Sequence, residues 1–343
     1  MRNKPLLQTA IAALLGLLIA CPATARVITD SAGRSVTIPD RIERVYPAGP
    51  PASTLLYVLK PQAMTGWVRM PRPQDKPFLL PSSRELPQAS RLTGNGDTIN
   101  AEALLTSKPD LILDFGSVND TYKSLADRIQ AQTGVPYILI DGRFSATPAS
   151  LRLLGDILGV KERGETLARY AEKVLADVDQ VLAKVPATQR PRLYLARGPM
   201  GLETGTKGSI NTEIIERVGA VNVVEGLGPR GGLVTASPEQ ILTWAPDTIV
   251  TLDRDFAASV QNKPEWGSVP AVRSRRVFLA PDAPFGFIDT PPSVNRLAGL
   301  IWLLHTFYPD QVQGNAREQI RAFYRLFYQS EPSDAQIGQL LGG

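Results

Sequence analysis

Asn100-Ala101-Glu102-Ala103-Leu104-Leu105-Thr106-Ser107-Lys108-Pro109-Asp110-Leu111-Ile112-Leu113-Asp114 has a counterpart in the second half of the chain, Ser237-Pro238-Glu239-Gln240-Ile241-Leu242-Thr243-Trp244-Ala245-Pro246-Asp247-Thr248-Ile249-Val250-Thr251. Most letters differ, but the chemistry is the same. Each stretch opens on a good N-cap, runs through a short helix with a glutamate in its first turn, stops at Pro-Asp and continues as an apolar strand. An internal duplication on this scale predicts two similar halves with a crevice between them, where a ligand is gripped from both sides.

Strands and helices alternate outward from the first copy. Arg26–Thr29 and Arg34–Ile38 around Asp30-Ser31-Ala32-Gly33 read as a β-hairpin. Then follow a strand at Arg44–Tyr46, a helix at Pro51–Leu59, a strand at Ala63–Val68 and a long Pro-, Ser- and Gly-rich loop from Met70 to Thr98. The repeat helix and strand come next, then a helix at Asn119–Gln132, a strand at Tyr137–Ile140 and a helix at Pro148–Leu158. This alternation predicts a parallel sheet covered on both faces. From Glu162 to Val185 the apolar positions keep to one helical face, a rod of roughly 36 Å at 1.5 Å per residue. Its position between the halves makes it the connector, although the periodicity alone also fits a core helix of the first half. Beyond Pro191 the predicted elements are a strand at Arg192–Ala196, a helix at Asn211–Val218, the second repeat copy, a strand at Val277–Ala280 and helices at Ser293–Phe307 and Ala316–Tyr328.

The ends set the compartment. Arg2 and Lys4, the apolar run Leu6–Ala20 and Pro22-Ala23-Thr24-Ala25 form a secretory signal over residues 1–25. The run is too short to span a bilayer, which takes roughly 20 apolar residues. Leu18-Ile19-Ala20-Cys21 also resembles a bacterial lipobox, with Cys21 as the lipidated residue. Cleavage after Ala25 is preferred, because the folded pattern starts at Arg26 and leaves no tether. Cys21 is the single cysteine of the 343 residues, so no disulfide forms and the fold rests on its core. The net charge of +4 includes two charges from the leader. A mildly basic exported chain gives no case for nucleic acid.

The hairpin Ile28-Thr29-Asp30-Ser31-Ala32-Gly33-Arg34-Ser35-Val36, the two Glu-bearing repeat helices and Gly208-Ser209-Ile210-Asn211 before the helix ending at Gly219 carry a resemblance. In this order the chain resembles the periplasmic substrate-binding proteins of ABC importers, in the cobalamin and ferric-siderophore class. The resemblance runs over essentially the whole mature chain and implies an α/β fold of two Rossmann-like lobes with parallel sheets, joined by a single long interlobe helix. The expected boundaries are 26–160 for the N-terminal lobe, 161–186 for the connecting helix and 187–343 for the C-terminal lobe. It implies a monomer that delivers its ligand to an inner-membrane ABC permease, with Glu102 and Glu239 docking to arginines of that partner. Both glutamates also suit the first turn of a helix, through its dipole and the capping pairs Asn100 and Ser237–Gln240.

Ligands of open parallel sheets meet the loops at the carboxyl ends of the strands. Those loops are Ala48–Ser53, Trp67–Arg69, Phe115–Ser117 and Arg143 in the first half, and Arg197–Gly201, Arg230–Gly232, Asp253 and Phe285–Phe287 in the second. Arg69, Arg197 and Arg230 are the expected charge contacts, with Trp67 and Phe287 for packing. A solvated arginine or a core tryptophan is the plain alternative at each. Guanidinium and ring groups suit an anionic, partly aromatic ligand. Bare transition metals are disfavoured, since the mature chain offers no thiol and only His305, in an apolar helix. The expected ligand is a metal chelate, first a ferric siderophore, with a corrinoid, heme or a molybdate-type oxyanion behind it. No cofactor or catalytic residue is expected. A secreted α/β hydrolase is the distant alternative, disfavoured by the lack of a Gly-x-Ser-x-Gly elbow. Gly201–Ser209 has the wrong spacing for a phosphate loop and reads as a turn.

Overall fold

The computed structural model describes residues 24–93, 101–228 and 231–342. Residues 1–23 of the expected leader, Cys21 among them, lie outside the described residues, as do Asn100 and Arg230, while Ala25, the leader's expected last residue, opens the first strand. Strands β1 (Ala25–Thr29) and β2 (Ser35–Pro39) form the expected antiparallel hairpin. Its turn is held by Asp30, whose carboxylate accepts from the Ala32 and Arg34 amides and reaches across to the Leu139 amide. The first lobe continues with β3 (Val45–Pro47), α1 (Pro50–Leu59), α2 (Ala101–Thr106), β4 (Leu111–Gly116), α3 (Asp120–Thr133), β5 (Tyr137–Asp141) and α4 (Thr147–Ile157). Its sheet is parallel in the order β3-β4-β5. β5 is buried along its whole length and β4 along nearly all of it, as expected where helices cover both faces.

Helix α5 (Lys161–Leu182), about 33 Å long, follows. It buries Leu167, Ala168, Ala171, Val174, Val178 and Val181 along one stripe. Gly155 of α4 and Gly164 of α5 meet backbone to backbone, with room for no side chain between them: a Cβ on Gly155 would sit 2.9 Å from the Gly164 Cα. The second lobe contains β6 (Arg192–Ala196), β7 (Glu203–Gly205), α6 (Glu213–Arg217), β8 (Val221–Asn222), β9 (Leu233–Thr235), α7 (Pro238–Trp244), β10 (Thr248–Thr251), α8 (Arg254–Ser259), α9 (Pro270–Arg273), β11 (Val277–Leu279) and α10 (Arg296–Phe307). Its parallel sheet is separate from the first and runs β11-β10-β6-β8. β7 and β9 form a separate two-stranded antiparallel sheet, and the glycine-rich Gly201–Ser209 stretch contains β7 and the turn that follows it.

The duplication extends to hydrogen bonds. Lys108 and Ala245, at equivalent places after α2 and α7, both adopt the left-handed conformation with φ 45°. The aspartates that follow cap the neighbouring strand in the same way: Asp110 accepts from the Arg44 amide at 2.8 Å, and Asp247 from the Arg192 amide at 3.1 Å. Arg44 and Arg192 in turn donate to carbonyls at the ends of α2 and α7.

Two expectations change. Ala63–Val68 is no strand; Pro61–Ala63 is a 3-10 turn, and Met64 and Trp67 make only single bridges, to Val45 and Gln88. Gly66 explains the irregularity, since a Cβ there would collide with backbone of the Pro87–Ala89 segment. The helix expected over Ala316–Tyr328 is α-helical only as α11 (Ala316–Phe323), then closes with a π turn at Tyr324–Tyr328, before a last helix, α12 (Asp334–Leu341). This C-terminal segment reaches the first lobe: the Tyr57 hydroxyl donates to Tyr328 O at 2.9 Å, Arg163 donates to Leu326 O and Phe327 O, and Phe78 packs edge-on to Tyr324. One apolar core therefore runs from α1 through α5 to α10 and α11, with a smaller core on the outer side of each sheet.

Candidate functional site

A cleft of about 420 Å³ opens between the lobes. Its walls come from the carboxyl ends of strands, as open α/β sheets require. The first lobe supplies Pro50 and Pro51 at the start of α1, Phe115, Gly116 and Ser117 at the end of β4, Tyr122, and Arg69, Arg91 and Thr93 from the long loop. The second lobe supplies Arg197 just past β6, Ile210 and Asn211 before α6, Leu233, and Asp289 to Pro292. Glycine is needed where the walls meet: a Cβ on Gly142 would press on the Gly116 backbone.

The three cleft arginines differ in how they are held. Arg197 donates through Nε to Glu203 at 2.6 Å and through Nη1 to Asp289, so its charge is already answered from two sides. Asp289 is buried, also accepts from the Asn211 amide nitrogen at 3.0 Å, and has one carboxylate oxygen, Oδ1, without a protein partner among the described residues. Arg69 and Arg91 are exposed and form no ion pair or hydrogen bond among the described residues. Two free guanidinium groups thus stand on the first-lobe wall. The carboxylate lining the cleft on that side is Asp114, which is buried and accepts from the Tyr137 hydroxyl at 3.1 Å. Burial pushes its pKa up to about 6, against the lowering effect of the Tyr137 hydroxyl, the Phe115 amide and the more distant Arg91 charge.

A second cavity of about 120 Å³ adjoins the cleft, sharing Pro50, Arg69, Thr290 and Pro291 with it. Trp67 lines this compartment rather than the cleft itself. Its indole nitrogen donates to Ser83 O at 2.7 Å, and its ring lies 5.5 Å from Tyr57 and 5.8 Å from Phe285. Arg72 crosses between the lobes here. It holds Asp75 through Nε and Nη2 and reaches Asp282 of the second lobe at 2.7 Å, while Arg254 grips the other oxygen of Asp282.

Phe287, expected at the cleft, is completely buried in the core instead, and its carbonyl packs against Gly299 of α10. Phe285, two residues earlier, faces the small cavity. Arg143 pairs with its neighbour Asp141 and Asp253 caps α8, and neither lines the cleft. Arg91, Tyr122, Asn211 and Asp289 line it without having been singled out. Asn211 alone had a signal, in the Gly208-Ser209-Ile210-Asn211 turn. Glu102 and Glu239 stand exposed in the first turns of α2 and α7. Ser237 and Gln240 complete a capping box, and hydrogen bonding by Ser237 and by backbone holds the Glu239 carboxyl below its ordinary range. His305 meets Gln319 at 2.9 Å, away from the cleft.

The family profile described as Periplasmic binding protein matches residues 65–284, most of both lobes. The chain belongs to this family. Among solved structures the chain is similar to the ABC transporter solute binding protein from Sulfurospirillum deleyianum, 27% identical, with a TM-score of 0.84 over 93% of this chain and 99% of that one. Among curated relatives, the molybdate-binding protein MolA of Haemophilus influenzae is 26% identical over 360 aligned residues, spanning 96% of this chain and 97% of the relative. The structure of MolA bound to molybdate superposes with a TM-score of 0.74 at 22% identity, over 90% of this chain and 99% of that one, a likeness of fold. The chain is thus a periplasmic binding protein of an ABC importer, with two α/β lobes and a long helix. Among the described residues no helix is long and apolar enough to cross a membrane.

Proposed function

We propose that the interlobe cleft captures an oxygen-rich anion of the molybdate class. The observation that carries this reading is the pair of free guanidinium groups, Arg69 and Arg91, on one wall of a cleft entered from both lobes. Arginine meets an oxyanion with two parallel donors, and charge-assisted hydrogen bonds of that kind are among the strong ones. Arg197, already held by Asp289 and Glu203, acts behind them, and Ser117, Thr93 and Asn211 are within the same walls as neutral donors. Phe115 and Tyr122 are the cleft's only aromatic rings among the described residues, a poor match to the broad apolar faces of a heme or corrinoid. The curated relative that spans nearly the whole chain is named for molybdate binding, which supports the same class. A ferric siderophore is the second reading, favoured by volume: about 420 Å³ leaves space around a small tetrahedral anion.

The test is thermal stabilisation of the mature protein by molybdate, tungstate, sulfate and ferric chelates in parallel. An anion at a hundred times its dissociation constant stabilises by about 2.7 kcal/mol. Molybdate is expected to raise the melting temperature, and Arg69→Ala with Arg91→Ala to weaken it about 100-fold, two charge-assisted contacts at about 1.5 kcal/mol each. Stabilisation by ferric chelates alone would move the assignment to the second reading.

In the same reading the ligand passes to an inner-membrane permease that meets Glu102 and Glu239, and residues 1–25 direct export, with lipid attachment at Cys21 as the variant. The boundaries 26–160, 161–186 and 187–343 are retained as the lobe assignment. The protein acts without chemistry on its ligand.

A further inference from the structure

Comparing the two repeat helices residue by residue separates what each identity is for. The copies share Glu102 and Glu239, Leu105 and Leu242, Thr106 and Thr243, and the Pro-Asp pairs, while the other helix positions have diverged. The threonine hydroxyls both donate back to the glutamate carbonyl at 2.8 Å. The aspartates both cap a neighbouring strand. Those identities have partners inside the fold. The side chains of Leu105 and Leu242 differ: they are 45% and 44% exposed, while the residues before them, Leu104 and Ile241, are the ones buried. Other large exposed apolar side chains, such as Val27, Met200 and Val221, have no such counterpart in the repeat.

A single exposed leucine is ordinary. The same leucine kept exposed at the same place in two otherwise diverged copies calls for an external surface that both copies meet. Each lies three residues after a glutamate that has no ion-pair partner among the described residues, on the neighbouring turn of the same helix face. Each lobe therefore presents one carboxylate and one apolar side chain side by side. From this we infer that Leu105 and Leu242 are matched apolar contact points on the permease-facing surface. The partner is one with two equivalent faces, each carrying a cation beside an apolar patch. This rests on the docking reading of Glu102 and Glu239 and adds to it the residues that exclude water around the charge, as rims do around a buried contact.

Cys21 is the chain's single cysteine and is either removed with the leader or lipidated, so Leu105→Cys and Leu242→Cys each give a unique free thiol for a benzophenone-maleimide photo-crosslinker in intact spheroplasts. Both positions are expected to join the same integral membrane subunit at equivalent peptides, with Val27→Cys as the silent control. Leu105→Ser with Leu242→Ser is expected to lower uptake of radiolabelled molybdate about tenfold while its thermal stabilisation by molybdate stays intact. Adducts to a second copy of this chain, to lipid alone or to unrelated partners at the two positions would overturn the inference, as would unchanged uptake by the double leucine variant. If Glu102→Ala with Glu239→Ala also transports normally, the docking reading itself falls. If the wild type binds no molybdate, the ligand assignment falls, and the crosslinks decide the surface independently.

Discussion

Arg296 offers the most demanding check on how the lobes are joined. It is fully buried at the start of α10, and its guanidinium donates to Gly142 O at 2.6 Å on the first-lobe side and to Ile210 O at 3.0 Å and Glu213 at 3.1 Å on the other. A fourth bond runs to Ser293 O, and the group lies 4.3 Å from the centre of the Phe144 ring. The other oxygen of Glu213 accepts from the Phe144 amide at 2.9 Å, closing a loop of contacts across the interface. Burial lowers the Arg296 pKa against the raising effect of Glu213. Arg296→Met keeps most of the volume and removes every donor. Stripping one partner from a buried ion pair costs about 3–5 kcal/mol. Glu213 is a quarter exposed and keeps its Phe144 contact, so about 2–4 kcal/mol is expected here. In urea denaturation this appears as a lower midpoint with an unchanged slope. Glu213→Gln keeps an acceptor for the Phe144 amide and should cost about 1 kcal/mol, the scale of an ordinary hydrogen bond. The double variant should lose less than the sum, because both changes break the same contact. A loss below about 1 kcal/mol for Arg296→Met, or strict additivity, would refute the view that this clasp fastens the lobes.

Asp114 sets a pH dependence. Its folded pKa of about 6 lies above the ordinary aspartate value of 3.8, so its contribution to stability is fully present below the lower value and is lost as pH rises through the upper one. Asp114→Asn should flatten the stability profile between about pH 4 and 6, by about 1–3 kcal/mol in chemical denaturation. An anion entering beside this carboxylate favours its protonated form, so molybdate affinity should rise as pH falls toward 6 in the wild type and less so in Asp114→Asn, read by titration calorimetry. Gly299→Ala drives a Cβ into the Phe287 carbonyl, which is backbone and cannot swing aside, and should lower the urea midpoint by the equivalent of about 1–3 kcal/mol.

The repeat was legible because its signals are local. N-caps, Pro-Asp stops and continuous apolar runs act over a few residues, and both copies appear as α2 with β4 and α7 with β10. The face of α5 was legible for the same reason. Side-chain destinations set by distant partners were not. Phe285 and Phe287 have the same local chemistry, yet the backbone of the Phe287 segment packs on Gly299 and buries that ring, leaving Phe285 at the small cavity. Arg91 sits in a loop without periodicity, and distant partners fix its course: the bridge between Trp67 and Gln88, the Tyr46 hydroxyl on Ser90 O and the Leu92 amide on Ala48 O. The apolar residues from Phe323 to Tyr328 were readable as one face of a helix, but nothing local says that the face crosses to Tyr57 of the first lobe.

These cross-lobe contacts bear on how a ligand leaves. The lobes are tied by two kinds of link. Arg296 and the shared core from α1 to α11 are buried, whereas the Arg72–Asp282 pair is partly exposed, with about a third of the arginine side chain and a quarter of the aspartate accessible. A partly exposed ion pair contributes about 1 kcal/mol or less, far below the cost of stripping a buried charge. A force that separates the lobes therefore parts the Arg72–Asp282 contact first and leaves the Arg296 clasp as the pivot. In the docking proposed here the permease holds each lobe at its own Glu-Leu pair, one on α2 and one on α7, so it has one handle on each lobe. A small change in their spacing would then bear on the weaker link, and the cleft would open there without either α/β body unfolding.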